Sequence, residues 1–316
     1  MKLFIISAFM TVAIHAASNQ DLWVEFKNKH GKTYKSLREE KLRFGIFQEK
    51  LREIESHNAK YEEGEVSYSL RVNQFSDLTS DEFARKLNEK SVLKATKPRK
   101  TVNVATNIPD SINWVEKGAV LPVRDQKDCE SSYAISAVEG IEGQIFIKYN
   151  ETIALSAQQL VDCGVYPNGC LEEPVRDTLD YLVDTGLTTE ADYPYTGVQG
   201  KCIRGNRSVH IRGYFFLSND EIDLKNQVAT VGPISVTLNT HQWQSYGKGI
   251  FDNPECSASV INHSVLVVGY GSENGQEYWL IKNSWGTSWG EDGYIRLARN
   301  KNGQCGIGLY SCYPVV

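Results

Sequence analysis

The sequence lacks the features that mark several large classes of protein. It has no dense run of Lys and Arg and a formal net charge of -5, so it carries no electrostatic footprint for nucleic acid. It has no CxxC pair and no HExxH stretch, so neither a metal nor a cofactor is indicated. With 41% hydrophobic and 23% charged residues, the 316-residue chain has the composition of a globular protein.

The only long apolar run lies at the start of the chain, in "MKLFIISAFMTVAIHAAS". One Lys precedes the run and small residues follow it, which is the pattern of a secretory signal peptide. The run is shorter than the roughly 20 apolar residues of a spanning helix, which disfavours a membrane anchor. We therefore predict a cleaved signal peptide over residues 1–16 and a soluble mature protein, secreted or lysosomal, with no membrane partner.

The rest of the chain has two unlike parts. Residues 21–88 are rich in charge, with apolar residues at helical spacing, and predict helices. A basic, polar stretch with Pro98 then predicts an extended linker. Beyond Asn107, Gly, Tyr and Trp become frequent and short β-branched runs alternate with turn residues, while helices are predicted at 132–149 and 156–161. The order predicts an α+β architecture with a cleft between two lobes.

Cysteine is absent from the first 128 residues, and all seven cysteines follow. In a secreted chain this distribution favours disulfides over metal ligands. Seven is an odd number, so one thiol is left over.

The second part resembles the papain family of cysteine peptidases, and within it the cathepsin L group. The segments that carry the resemblance, in order, are "WVEKGAVLPVRDQ", "CESSYAISAVEGIEGQ", "LSAQQLVDC", "INHSVLVVGYG", "YWLIKNSWGTSWGEDGYIRLAR" and "CGIGLYSCYP". The resemblance implies a two-lobed papain-like α+β fold over residues 107–316, with a helical left lobe and a β-barrel-like right lobe. It also implies a monomer.

The first part is similar to the inhibitory propeptide of the same family, which implies that residues 17–106 are a propeptide and linker that occupies the chain's own cleft. The matching positions are Glu39, Arg43, Phe47, Ile54, Asn58, Asn73, Phe75 and Asp77. The sequence departs from the propeptide pattern at Lys50, where Asn is usual, and at Arg71, where Gly is expected.

By position, the resemblance implies that His263 is the catalytic base, Asn283 orients it, Gln126 supplies the oxyanion hole and Trp285 shields the pair. Ser132 stands in the place of the nucleophilic thiol. A hydroxyl is a far weaker acid than a thiol, so the imidazole does not hold it as a ready-made anion. Serine peptidases compensate with a buried carboxylate, whereas the third position here is a neutral amide.

The substrate cleft departs from the family as well. Glu130 stands where a Gly lines the S1 region, Glu172 and Glu173 replace paired glycines along the substrate strand, and Tyr310 falls where a small residue floors the S2 pocket. Carboxylates in place of glycines obstruct the cleft and make it acidic. The alternative is that the three Glu are solvated loop charges. The remaining cleft positions are Pro174, Val175, Thr237 and Asn262.

The resemblance also implies the disulfides. The pairs are Cys129–Cys170, Cys163–Cys202 and Cys256–Cys305, which leaves Cys312 as a buried thiol. Asn150 and Asn206 begin glycosylation sequons, and the sequon at Asn262 adjoins His263 and is expected to be too buried to carry a glycan.

Three hypotheses of function follow. The favoured one is a cathepsin L-like homologue without useful proteolytic activity that binds peptides or proteins, including cystatin-like inhibitors. The second is a weak hydrolase or condensing catalyst that uses Ser132 and His263, as the silicateins do. The third is a digestive or lysosomal cysteine peptidase whose natural sequence has Cys at position 132, which the genomic codon would decide.

Overall fold

The computed structural model describes residues 18–87, 107–165, 167–171, 174–203, 205, 209–258 and 260–316. The predicted signal peptide, most of the predicted linker, and Glu172, Glu173 and Asn206 lie outside the described residues. Within these ranges no helix is long and apolar enough to cross a membrane, and no group of three or more His, Cys, Asp or Glu side chains could hold a metal ion.

Three helices, each begun by a polar side chain, lie in the described residues of the N-terminal part. They are α1 (Asn19–His30), α2 (Leu37–Glu62) and α3 (Ser80–Lys86). Ser18, Ser36 and Thr79 each accept a hydrogen bond from the third backbone N–H of their helix, which satisfies a donor that the helix itself leaves open. Trp23, Phe26 and Phe47 pack together between α1 and α2. This part therefore has an aromatic core of its own.

In the described residues of the C-terminal part, three helices form one lobe. Its helices are α4 (Ser132–Tyr149), α5 (Ala157–Cys163) and α6 (Val175–Thr185), and a further helix, α7 (Glu221–Thr230), lies against the β-rich lobe. Helix α4 is buried along nearly its whole length because α5 and α6 cover one side and strands cover the other. Helices α4 and α5 lie where the sequence predicts helices, whereas α6 and α7 were not predicted.

Nine strands are present in the described residues. They are β1 (Tyr68–Leu70), β2 (Ile112–Asn113), β3 (Gly213–Phe216), β4 (Ile234–Leu238), β5 (Tyr246–Phe251), β6 (His263–Glu273), β7 (Gln276–Lys282), β8 (Tyr294–Ala298) and β9 (Tyr310–Val315). Their order is β1-β5-β8-β7-β6-β4-β9-β3, with β2 paired to β6. Strand β1 comes from the N-terminal part and pairs antiparallel with β5.

The two lobes meet where α4 lies on the sheet. Along β4, Ile234, Val236 and Leu238 point into the core of the β-rich lobe, and the alternate residues point the other way. Ser235, which points away from this core, donates a hydrogen bond to the carbonyl of Ser136 in α4 at 2.8 Å. Ser136 in turn donates to the carbonyl of Val265 in β6 at 2.8 Å. These bonds hold the first turns of α4 against β4 and β6.

A buried group of charges reinforces this seam. Lys282, at the end of β7, is wholly buried and donates to Glu139 of α4 at 2.6 Å. Arg124 donates to both oxygens of Glu142, also on α4, at 2.7 and 3.0 Å, and lies 3.4 Å from Glu139. Two cations thus neutralise two buried carboxylates. Glu142 also accepts from the N–H of Leu155, so the cluster is anchored to the backbone.

Breaking this cluster is expected to be costly. Lys282→Met should lower the free energy of unfolding by about 3–5 kcal/mol, because it leaves the carboxylate of Glu139 buried without its closest cation. Adding Glu139→Gln should restore much of the loss, since the uncompensated charge is then gone.

The matched control is Arg176→Met, which removes an exposed ion pair with Asp180 at 3.7 Å and should cost less than about 1 kcal/mol. Urea unfolding followed by tryptophan fluorescence measures all three variants. A loss for Lys282→Met no larger than that of the control would contradict the role assigned to the cluster.

Candidate active site

The site is built around the first residue of α4. Ser132 is fully buried, and its Oγ accepts a hydrogen bond from the backbone N–H of Ser264 at 2.9 Å. Ser264 follows His263 at the start of β6, so this bond ties the beginning of the helix to the strand that carries the imidazole. The N-terminal end of a helix also favours negative charge at this point.

His263 is paired with Asn283. Its Nε2 lies 2.8 Å from Oδ1 of Asn283, which also accepts from the N–H of Ser284 at 2.8 Å. Because Oδ1 is only an acceptor, Nε2 carries the proton and Nδ1 is left as the acceptor of the ring. The ring of Trp285 covers the pair at a centroid distance of 4.8 Å from His263. Sequence analysis had predicted this triplet, and the structure brings all three side chains together.

The imidazole is neutral under most conditions. Burial lowers the pKa of His263 to about 4, and the hydrogen bond to Asn283 only partly opposes that shift. Within the described residues Nδ1 has no hydrogen-bond partner. The arrangement therefore offers a proton acceptor, and burial disfavours the charged imidazolium.

Gln126 is already engaged. Its Nε2 donates to the carbonyl of Cys129 at 3.2 Å and to Oε2 of Glu130 at 3.3 Å, and its Oε1 accepts from the hydroxyl of Ser284 at 2.7 Å. In an oxyanion hole such an amide must be free to donate to the developing negative charge. Here a carboxylate of the chain itself takes that donor.

Glu130 is a buried acid, with 7% of its surface exposed. Burial raises the pKa of Glu130 to about 7, the charge of Asp128 adds to this rise, and Lys86 and the bond from Gln126 oppose it. The interpretation of Glu130 as a solvated loop charge is therefore wrong. The other two predicted cleft carboxylates, Glu172 and Glu173, lie outside the described residues and remain predictions.

The propeptide region covers the site through aromatic packing. Phe75 and Phe83 meet the ring of Trp285 edge-on at centroid distances of 5.3 and 5.5 Å. Gln74 donates to the carbonyl of Trp285 at 2.6 Å. At the end of α3, Lys86 pairs with Asp128, two residues before Glu130, at 2.8 Å. The propeptide thus lies on the shield of the His263–Asn283 pair and places a cation beside the acidic loop.

Arg71, a departure from the propeptide pattern, makes a second attachment. Its guanidinium donates to the carbonyls of Ser288 and Gly290 at 3.0 Å each. Nearby, Asn73 donates to the carbonyl of Gln244 at 2.7 Å. The substituted residue therefore binds the propeptide to the loop that follows Trp285.

The other predicted cleft residues lie at the edges of the site. Thr237 of β4 pairs directly with Tyr310 of β9, and Tyr310 is half-buried. The hydroxyl of Thr237 lies 3.1 Å from the hydroxyl of Ser264. Pro174 is the half-buried residue that precedes α6, and Val175 is its buried first residue. Sequence reasoning missed Ser264, Ser284 and Lys86, because each acts through a partner distant in the sequence.

Covalent links hold the outer loops. Disulfides join Cys129 to Cys170, Cys163 to Cys202 and Cys256 to Cys305, the same pairs that the resemblance implied. In the described part of the chain Cys312 is a free, buried thiol whose pKa burial raises to about 12. Of the asparagines that begin sequons, Asn150 is exposed where α4 ends, whereas Asn262 is 1% exposed.

The fold and the site define a papain-type peptidase precursor. The family model of papain family cysteine proteases matches residues 108–315, and that of the cathepsin propeptide inhibitor domain matches residues 23–83. The chain therefore belongs to the papain family, in its cathepsin L-like group, and it carries the propeptide of that group.

The chain is similar over nearly its whole length to other papain-family proteins. The chain is 46% identical to a cathepsin L-like proteinase of Phaedon cochleariae, with all of both chains covered. It is 42% identical to digestive cysteine proteinase 1 of Homarus americanus, with 99% of each covered. The solved structure of digestive procathepsin L 3 from Tenebrio molitor larval midgut superposes with a TM-score of 0.88 at 38% identity, covering 95% of this chain and 100% of that one. The predicted fold class is confirmed.

Loss of the Arg71 contacts should loosen the propeptide. Arg71→Met removes two hydrogen bonds from a charged donor, which together stabilise the closed state by about 2 kcal/mol, so we expect a roughly 30-fold increase in local opening. Hydrogen exchange of the backbone amides of Phe75, Ser76 and Leu78 in the full chain measures it. Arg52→Met, on the exposed side of α2, is the control and should leave these rates unchanged. Equal rates in both variants would contradict the attachment.

The buried carboxyl of Glu130 should make stability depend on pH. Its pKa is about 7 in the folded chain against an ordinary 4.5, so the folded state holds the proton more tightly and loses stability as the pH rises from 4.5 through 7. Glu130→Gln cannot ionise, so it should exceed the parent by up to about 3 kcal/mol at pH 8 and by little at pH 4.5.

Thermal unfolding at the two pH values measures this difference. Glu151→Gln, at an exposed position, is the control and should show no such pH dependence. A Glu130→Gln effect of the same size at both pH values would show that the carboxyl is not held in its protonated form.

Proposed function

We propose that this cathepsin L-like chain does not work as an efficient peptidase and instead binds peptides or proteins in its cleft. The observation that carries the proposal is the carboxyl group of Glu130 on the amide of Gln126. A tetrahedral intermediate would place its negative charge against that same amide. The buried carboxylate competes for the donor and, when ionised, repels the charge that the donor should stabilise.

The nucleophile position supports the same conclusion. Ser132 offers a hydroxyl in place of a thiol, and the N–H of Ser264 already donates to its oxygen. The neutral imidazole of His263 is oriented by an amide and not by a carboxylate, so it lacks the group that supports an imidazolium in serine peptidases. Removing one member of a catalytic triad lowers the rate by several powers of ten, and we expect a loss of that order here.

A binding role is compatible with what the chain retains. Three disulfides hold the scaffold, and the propeptide region stays attached to it through Arg71. We propose a monomer, secreted or lysosomal, whose ligands are peptides, proteins or cystatin-like inhibitors, and whose first ligand is its own propeptide.

A second candidate is a digestive or lysosomal peptidase. It is favoured by the similarity to a digestive cysteine proteinase of Homarus americanus and by the intact contact between His263 and Asn283. In that case Ser132 would act as a weak nucleophile, or the natural residue at this position would be Cys.

Restoring the thiol separates these candidates. Ser132→Cys should give measurable but weak cleavage of fluorogenic peptides after acidification, because His263 then meets a nucleophile acidic enough to ionise. Adding Glu130→Gly should raise kcat at least about tenfold, since it frees the amide of Gln126. Adding Glu172→Gly, Glu173→Gly and Tyr310→Ala should raise it further.

Two controls accompany this series. Glu151→Gly in the Ser132→Cys background removes an exposed carboxylate and should change nothing, and His263→Ala should abolish any cleavage that belongs to the site. If the parent chain with Ser132 already cleaves peptides as fast as the Cys variants and loses this with His263→Ala, the second candidate is correct and the proposal is wrong.

A further inference from the structure

The sequon at Asn150 has no part in the proposed binding role, and its surroundings differ from those of the sequon at Asn262. Asn150, Glu151 and Thr152 form the glycan-acceptor pattern Asn-X-Thr, with no Pro at its centre. All three residues are exposed and lie directly after α4, in a stretch without helix or strand. Asn262 is 1% exposed, whereas a bulky glycan needs a surface position. The structure therefore favours Asn150 of these two sequons.

Asn150 lies where the chain leaves the helix. Its backbone is left-handed, with φ 56° and ψ 34°, and its N–H donates to the carbonyl of Phe146. Asparagine is one of the few residues besides glycine that ends helices in this conformation. The helix end is thus satisfied through the backbone N–H, so a substituent on the side-chain amide of Asn150 does not remove that bond.

The last turn of α4 exposes apolar side chains beside this sequon. Ile147 is 39% exposed and Tyr149 is 50% exposed. Ile147 lies three positions before Asn150, a spacing that makes residues neighbours on a helix surface, and Tyr149 is the adjacent residue. The ammonium of Lys148 lies 5.0 Å from the centre of the Tyr149 ring, yet half of that residue remains exposed. A bulky polar group on Asn150 would stand next to both apolar side chains.

The sequon is also remote from the cleft. Helix α4 has 18 residues and begins at Ser132. At 1.5 Å per residue its two ends are about 26 Å apart. Ser132 is tied to β6 beside His263, whereas Asn150 follows the opposite end of the helix. A group attached to Asn150 is therefore compatible with a ligand or the propeptide at the site.

We propose that Asn150 carries an N-linked glycan, which covers the exposed apolar end of α4. The amide nitrogen of Asn150 attacks the first sugar of an oligosaccharide that is activated as a lipid diphosphate. A sugar C–N bond forms, the sugar C–O bond to the diphosphate breaks, the lipid diphosphate leaves, and the amide gives up one proton. The inference rests on the predicted signal peptide, which directs the chain to the secretory route, and not on the proposed peptide-binding role.

Production of the full chain in eukaryotic host cells tests the attachment. Peptide mapping before and after treatment with peptide N-glycosidase locates glycans, because the enzyme converts each carrier asparagine to Asp. We expect most copies of the chain to be modified at Asn150 and none at Asn262. An unmodified Asn150 overturns the inference, whether the chain reaches the medium or stays in the cell. Neither result depends on ligand binding or on peptide cleavage, so it leaves the proposed function untouched.

Thr152→Ala tests the acceptor pattern and leaves Asn150 in place at the helix end. It should abolish the modification at Asn150, whereas Thr152→Ser should keep it. Persistence of the glycan in Thr152→Ala would contradict the assignment of this sequon.

The covering role has a matched pair of variants. Asn274 is exposed and left-handed like Asn150, with φ 52°, but Gln276 takes the place of the Ser or Thr of a sequon. Asn150→Gln should be retained longer than the parent chain on a hydrophobic-interaction column, and Asn274→Gln should match the parent. Adding Tyr149→Ser to Asn150→Gln should reverse much of the shift. Equal retention of Asn150→Gln and Asn274→Gln would show that the glycan does not cover the apolar end of α4.

Discussion

The buried charge cluster at the seam of the lobes is the constraint on which the site depends. Lys282 precedes Asn283 in the chain, and Glu139 lies two turns into the helix that begins at Ser132. Their 2.6 Å contact therefore fixes the position of the orienting amide relative to the beginning of α4. Paired buried charges have one arrangement that avoids a large desolvation cost, so the pair favours one register of the two lobes. The alignment of the base with Ser132 follows from this pairing.

Two polar groups that catalysis would need already have hydrogen-bond partners within the chain. The amide of Gln126 holds Glu130, and the oxygen of Ser132 accepts from the backbone of Ser264. The propeptide adds a third layer, because its phenylalanines lie on Trp285 and its Lys86 pairs with Asp128 on the loop that carries Glu130. The helix, the strand and the propeptide thus converge on a few side chains, among which Gln126 and Ser132 already have hydrogen-bond partners within the chain.

Much of this could be predicted from the sequence, for identifiable reasons. Helix α4 follows from a long apolar segment with few breaks, and the His263–Asn283 pair follows from motifs that resemble a known family. Helix α7 was missed although Asp220 caps it, and α6 was missed because Pro174 offers no side-chain cap. The burial of Lys282 and Glu139 could not be predicted, because the two residues are 143 positions apart in the sequence. A charged residue with no evident partner is normally expected at the surface. The bond between Glu130 and Gln126 depends on a rotamer, which no residue pattern specifies.

The pairing of β1 with β5 has a consequence for the chain after loss of its propeptide. In the described sheet β5 lies between β1 and β8, so removal of the N-terminal part would turn β5 into an edge strand with a row of unpaired backbone N–H and C=O groups. Such an edge is a template for the addition of a strand from another chain and invites aggregation. For as long as the N-terminal part stays attached, the segment Tyr68–Leu70 pairs with β5 and covers this edge.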